Sequence, residues 1–233
     1  MDWFTPVDIY CERLGPGFWA EPLNAISNLS FPLFAALAAL TARTRGTDLM
    51  GWVLIVMAAL IGVGSFLFHT FANRWSELAD VLPIWSFVAV YIIALTAKLR
   101  AKPPPPAVVA AIALAAVATL IFLAMGEGTP PETLPAAPTK PDPLNGSGQY
   151  APAVIAMAVF GIIMFRRRHP QRWWLAAAVG TFLLSLTFRT LDRDICTSLP
   201  QGTHFLWHLL NGAMIGMILQ LYLRVQRPPA EAI

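Results

Sequence analysis

Residues 49–71 read LMGWVLIVMAALIGVGSFLFHTF, with no aspartate, glutamate, lysine or arginine among them. A helix that crosses a bilayer needs about 20 predominantly apolar residues. Backbone inside hydrocarbon must also satisfy its own hydrogen bonds. The stretch therefore reads as a membrane-spanning helix. Six more segments approach the same length: about Pro22–Ala42, Val81–Ala97, Ala107–Met125, Ala151–Phe165, Trp173–Phe188 and Phe205–Leu223. The last but two and last but one are short and must extend into their flanks. The expected fold is all-α, a polytopic bundle of seven transmembrane helices forming one domain over residues 1–233.

Composition agrees. Of the 233 residues, 57% are hydrophobic and 12% charged, and the mean hydropathy is +0.60. A soluble domain carries about 25% charged residues, so too few charges exist here to clothe a water-facing surface. The net charge of +3 does not point to nucleic acid, because no basic stripe with interleaved aromatics occurs outside the short connectors. Residues 1–19 hold Asp2, Asp8 and Glu12 and lack the order of a cleavable signal. Residues 1–21 read as an outer segment. Pro103–Pro106 reads as a stiff entry to the fourth helix, and Gly126–Gln149 (126–149) as a flexible outer loop.

Orientation follows from the basic residues, which collect on cytoplasmic connectors. With the N-terminus outside, eleven of the 16 fall inside, among them Arg43, Arg45, Lys98, Arg100, Arg166 to Arg168 and Arg224. Of the 13 acids, only Asp48 and Glu231 do. The expectation is N-out and C-in, in a bacterial inner membrane or a eukaryotic endomembrane.

The scarce polar residues then sort by depth. Ser65 and His69 lie one turn apart on the outer half of the second helix, and His204 and His208 one turn apart at the start of the last. Asp80 is expected to open the third helix after a short outer turn, Ala72–Ala79. His169 falls in the arginine-rich inner connector and reads as solvated. Alone, each histidine could be an interhelical hydrogen-bonder, Ser65 a packing residue and Asp80 an N-cap. Together they form a cluster of ionisable groups in a membrane, which marks a functional site. A His-x-x-x-His pair plus a third imidazole suits a three-ligand zinc site with a position left for water. A carboxylate beside it can move the water's proton, and a hydroxyl can donate to a developing oxyanion. Cys11 and Cys196 both fall outside, where two thiols can pair; two free thiols are the alternative. A bond there would restrain His204, expected to be the most exposed ligand.

These residues form motifs: Gly64-Ser65-x-x-x-His69, Asp80-x-x-Pro83 and His204-x-x-Trp207-His208, with Cys11-Glu12, Ala20-Glu21-x-x-Asn24, Ser27-Asn28 and Cys196. The set resembles the alkaline ceramidases, part of a superfamily of seven-helix membrane hydrolases that includes the adiponectin and progestin receptors. The resemblance implies zinc (Zn2+) held by His69, His204 and His208, with Asp80 managing the water's proton and Ser65 polarising the scissile amide. It implies cleavage of ceramide, or a similar N-acyl lipid, to a sphingoid base and a fatty acid on the outer or lumenal side. It also implies calcium (Ca2+) at Glu12 and Glu21. The pattern departs at Ile9 and Leu14, where the family carries Asp and Asn, and Asp8 could substitute after a register shift. The expected partner is a membrane lipid, with no nucleic acid and no required oligomer. Two rivals remain: a receptor of the same superfamily with a structural zinc site, and a haem protein using two of the histidines.

Overall fold

A computed structural model describes residues 2–100 and 142–225, and among these it is helical with no strands. The helices are α1 (Pro22–Ser27), α2 (Ser30–Arg45), α3 (Leu49–Phe71), α4 (Arg74–Arg100), α5 (Ala151–Arg166), α6 (Arg172–Leu191) and α7 (His204–Arg224). α1 and α2 are two parts of one span, Pro22–Arg45, so six spans long and apolar enough to cross a membrane lie among the described residues. The expected helix Ala107–Met125, the Pro103–Pro106 entry and most of the loop before Gln149 lie outside the described residues. So does the expected count of seven.

The spans are apolar on nearly every side, so hydropathy alone does not set which face turns inward. Leu33, Leu37, Leu40, Val56, Leu60 and Val63 face outward, while Ala25, Ala35, Ala38, Ala42, Ala58 and Ala178 are buried. Between membrane helices there is no water to expel, so small residues that let backbones approach decide the packing. α7 is the axis: 67% of its span is buried, against 11% for Ser147–Arg166. It packs on α2 and α6, and α3 packs on α2 and α4.

Gly64 shows what close approach achieves. A Cβ there would lie 2.1 Å from the Ala79 carbonyl oxygen on α4. Only glycine lets α3 and α4 meet at this level, which brings the next residues, Ser65 and Asp80, side by side.

α4 begins at Arg74, several residues before the expected opening at Asp80. Its start is capped by Asn73, whose Oδ1 accepts the Ser76 N–H at 3.2 Å, while the Ser76 hydroxyl accepts the Asn73 N–H at 3.0 Å. Asp80 therefore sits inside the helix and is no N-cap. At the far end of the bundle, Lys98 donates to the Tyr222 carbonyl at 2.9 Å, and Tyr222 donates to Asp48 at 3.1 Å. Asp48 caps α3 by accepting the Gly51 N–H at 2.9 Å. Arg100 thus ends at one end of the bundle, whereas Asn145 and Ser147 meet Arg189 and Thr190 near the histidine end.

The segment before α1 lies across the histidine end. Val7 N–H donates to the Ala72 carbonyl at 2.9 Å, Arg74 N–H to Thr5 at 3.2 Å and Trp75 N–H to Trp3 at 3.1 Å. Cys11 and Cys196 are joined by a disulfide with Cα atoms 5.2 Å apart, as expected.

Candidate metal centre

α2 and α7 are held together near their ends by the Ser30 hydroxyl of α2, which donates to the His208 carbonyl at 2.9 Å, and α3 packs on α2 beside them. The result brings His69, His204 and His208 together, each 1% exposed or less. One nitrogen from each ring lies within 4.8 Å of the others. His69 Nε2 and His208 Nε2 are 3.1 Å apart.

The outer nitrogens are occupied. His69 Nδ1 is 2.5 Å from Glu21 Oε2, and a carboxylate only accepts. His208 Nδ1 is 2.8 Å from Ser27 Oγ, whose own proton is committed to the Asn24 carbonyl at 2.9 Å. Both Nδ1 atoms therefore carry the proton, a tautomer assigned from the network. That leaves two bare Nε2 lone pairs facing each other. Such an arrangement repels unless a cation lies between them. Zn–N bonds of about 2.0–2.1 Å at tetrahedral angles put ligand nitrogens roughly 3.3–3.4 Å apart, close to the separation here. The donor set fits a metal ion, and the partners at Nδ1 are the kind that orient metal-ligating histidines.

His204 is not the exposed ligand expected from its place beside a loop. Tyr10 stacks on its ring with centroids 3.6 Å apart, and Trp207 stacks parallel at 5.2 Å. Its Nδ1 is buried with no hydrogen-bond partner among the described residues. Burial pushes the Tyr10 phenol well above its ordinary range, so it stays a neutral hydroxyl. Nothing local in the sequence marks Tyr10, because it reaches His204 across almost the whole chain.

Ser65 and Asp80 adjoin each other beside His69. Ser65 Oγ and Asp80 Oδ1 are buried and lack hydrogen-bond partners among the described residues. Arg189 is also buried. Its guanidinium reaches the Asn145 carbonyl, lies 5.5 Å over the Tyr150 ring and feels Tyr10 and Asp80. In the sequence Arg189 is only one of the five basic residues not assigned to the inner side. His169 lies in the α5–α6 turn, partly buried, where its Nδ1 accepts the Gln171 N–H at 3.1 Å and burial lowers its pKa.

Above the histidines, Glu12 accepts the Leu23 and Asn24 N–H groups at 2.7 and 2.8 Å. Burial raises its carboxyl pKa against the pull of those donors. Burial also works to raise Glu21, but His69, Asn24 and Arg13 outweigh it and hold the carboxyl below the usual range. Asp8 is exposed. Asp192, which sequence reasoning passed over, is fully buried. Its Oδ1 accepts the Thr203 and His204 N–H groups at 2.7 and 2.9 Å, and its Oδ2 accepts the Cys11 N–H at 3.2 Å.

Below the centre, an apolar cavity of about 80 Å³ runs from Tyr150 and Trp207 past Asn211 to Leu95 and Ile218. Trp207 Nε1 and Asn211 Oδ1 are buried without partners among the described residues.

Comparison with curated proteins finds no match. A family model described as Ceramidase matches residues 11–231. With nearly the whole chain covered, from the first cysteine to beyond the last helix, this protein belongs to the ceramidase family.

Proposed function

We propose that this chain is a zinc-dependent membrane amidase that cleaves ceramide, or a closely similar N-acyl lipid, to a sphingoid base and a fatty acid. The observation that carries the metal is the cluster of three buried imidazoles, with His69 Nε2 and His208 Nε2 3.1 Å apart and their Nδ1 atoms engaged by Glu21 and Ser27. His69, His204 and His208 would hold the ion. When bound, zinc supplies a Lewis acid that lowers the pKa of water towards about 7 and polarises a carbonyl.

The chain's own residues do the rest. Asp80 Oδ1, buried and unpartnered, is available to take the proton from the attacking water and return it to the departing amine. Ser65 Oγ, equally unpartnered, can donate to the oxygen of the scissile amide as charge develops there. Tyr10 and Trp207 both stack with the His204 ring, which restrains it from swinging away. The apolar cavity suits a hydrocarbon chain. Trp207 to Ile218 spans roughly 16 Å of helix at 1.5 Å per residue, and the orphaned Trp207 donor and Asn211 acceptor suit the polar part of the lipid at its mouth.

The proposed topology is seven spans with the N-terminus and the site on the outer or lumenal side. Two bonded cysteines must lie on one side of a membrane, yet five of the described spans separate Cys11 from Cys196. An odd number returns the chain to the wrong side. One further crossing between Arg100 and Asp142 resolves this, and the sequence offers Ala107–Met125. The charge bias then sets the orientation.

Metal analysis of the purified protein, coupled to an amidase assay on a panel of N-acyl lipids, tests the reading. The expected outcome is bound zinc and turnover, both lost in His69→Ala, His204→Ala and His208→Ala. Full zinc content in all three variants would sink the ligand assignment. Zinc-loaded protein that turns over no N-acyl lipid would favour a receptor with a structural site.

A further inference from the structure

A buried arginine sits where the resemblance to alkaline ceramidases leads one to expect calcium. Arg13 is 7% exposed, and its guanidinium makes three contacts. Nε donates to Glu21 Oε1 at 2.5 Å, one terminal nitrogen to the Gly15 carbonyl at 3.1 Å, and the other to the His69 carbonyl at 3.0 Å. Glu21 uses its other oxygen for His69 Nδ1 and Asn24 Nδ2. Arg13 therefore grips the His69 residue twice, directly at the backbone and through Glu21 at the ring.

Calcium takes 6–8 oxygen ligands. Here both Glu12 oxygens, both Glu21 oxygens and the Gly15 and His69 carbonyls already accept from protein donors. Two amide oxygens, on Asn24 and Asn28, are buried without partners. Two are far short of a coordination shell. The positions that depart from the family pattern, Ile9 and Leu14, offer no side-chain oxygen, and Asp8 is exposed. A doubly charged ion placed among these groups would also face the fixed guanidinium. The residues present do not fit calcium.

We infer that the Arg13 guanidinium is the built-in cation of this outer collar: it replaces calcium in compensating the buried Glu21 carboxylate, while backbone N–H groups hold Glu12, and it serves as a positioning residue for His69. An arginine fork is suited to the task, because it is always charged and binds three acceptors in one plane. The collar is then permanently loaded and independent of the calcium concentration outside. The His69 part of this inference rests on the zinc reading; the calcium part does not.

The test compares the thermal midpoint of the wild-type protein in calcium-free buffer and in millimolar calcium chloride, with magnesium chloride as control, alongside calorimetric calcium titration. The expected result is no calcium-specific shift and no bound calcium. Stoichiometric calcium with a raised midpoint overturns the inference. In a second arm, zinc affinity is measured for Arg13→Ala. The expected loss is about 10–100-fold, as for other partners of ligating histidines. Millimolar guanidinium should restore part of it where sodium chloride at equal ionic strength does not. Wild-type zinc affinity in Arg13→Ala, or a loss that guanidinium leaves untouched, refutes the positioning role. If Arg13→Ala does not fold, Arg13→Lys carries the same test, since a point charge cannot span all three acceptors; unchanged zinc affinity there has the same meaning. Wild-type protein without zinc would defeat the hydrolase reading and leave the calcium arm standing.

Discussion

Asp192→Ala should disable this protein although Asp192 touches none of the proposed reacting atoms. Its carboxylate accepts three buried N–H groups, from Thr203, His204 and Cys11. Leaving a buried donor unsatisfied costs about 1–3 kcal/mol. Three of them amount to roughly 3–9 kcal/mol if none relaxes. Water reaching the loop would move the cost towards the lower figure. Even that is a large share of the roughly 5–15 kcal/mol that holds a typical domain together. The damage is also local, since the start of α7 carries His204. Asp192→Asn separates the effects. It can keep Oδ1, which serves Thr203 and His204, and turns an amide donor towards the Cys11 N–H. One bond is lost, about 1–3 kcal/mol. Thermal unfolding in detergent with zinc analysis on the same samples provides the assay. Asp192→Ala should unfold well below wild type and lose zinc, while Asp192→Asn unfolds at an intermediate temperature and keeps it. Wild-type midpoint and zinc content in Asp192→Ala would refute the capping argument outright.

Three other outcomes are expected. Gly64→Ala places a Cβ 2.1 Å from the Ala79 carbonyl, so α3 and α4 must part; overpacking of this kind costs about 1–3 kcal/mol, and kcat should fall with zinc retained. A kcat equal to wild type would mean that the Ser65–Asp80 spacing does not matter. Asp80→Asn should reduce turnover about 10²–10⁴-fold and Ser65→Ala about 10²–10³-fold, both with full zinc by metal analysis; loss of zinc in either would assign a packing role instead. Cys11→Ser should lower the thermal midpoint and weaken zinc retention more than Ser65→Ala does, because a disulfide contributes about 2–4 kcal/mol; equal midpoints in the two variants would contradict this.

The parts legible in the sequence were those written locally. α3 needed only its uncharged run, the His204 and His208 pairing only a helical period, and the shared side of Cys11 and Cys196 only a count of spans and charges. The start of α4 was misjudged because hydropathy stops where charge begins. Arg74, Ser76 and Glu77 read as a turn, yet a helix continues into the interface once Asn73 and Ser76 satisfy its first N–H groups. Tyr10 and Asp192 escaped notice for another reason, and Arg13 was legible only as a charge set against calcium, not as a partner of His69. Each acts on residues far along the chain, on His204, His69 and Cys11, and no periodicity connects such partners. His204 was expected to be exposed because its sequence neighbours are polar; an aromatic ring from the opposite end of the chain covers it.

The Cys11–Cys196 bond joins residues 185 positions apart and so closes a covalent ring around all but the last of the described spans. α7 is the one described span synthesised after the second cysteine, and it brings two of the three histidines. During biogenesis the ring can therefore be sealed by an oxidant before the metal trio exists. If the bond forms first, the final helix must enter a socket whose rim is already tied. A chain truncated just after Cys196 keeps both cysteines of the ring but lacks His204 and His208, two of the three proposed ligands.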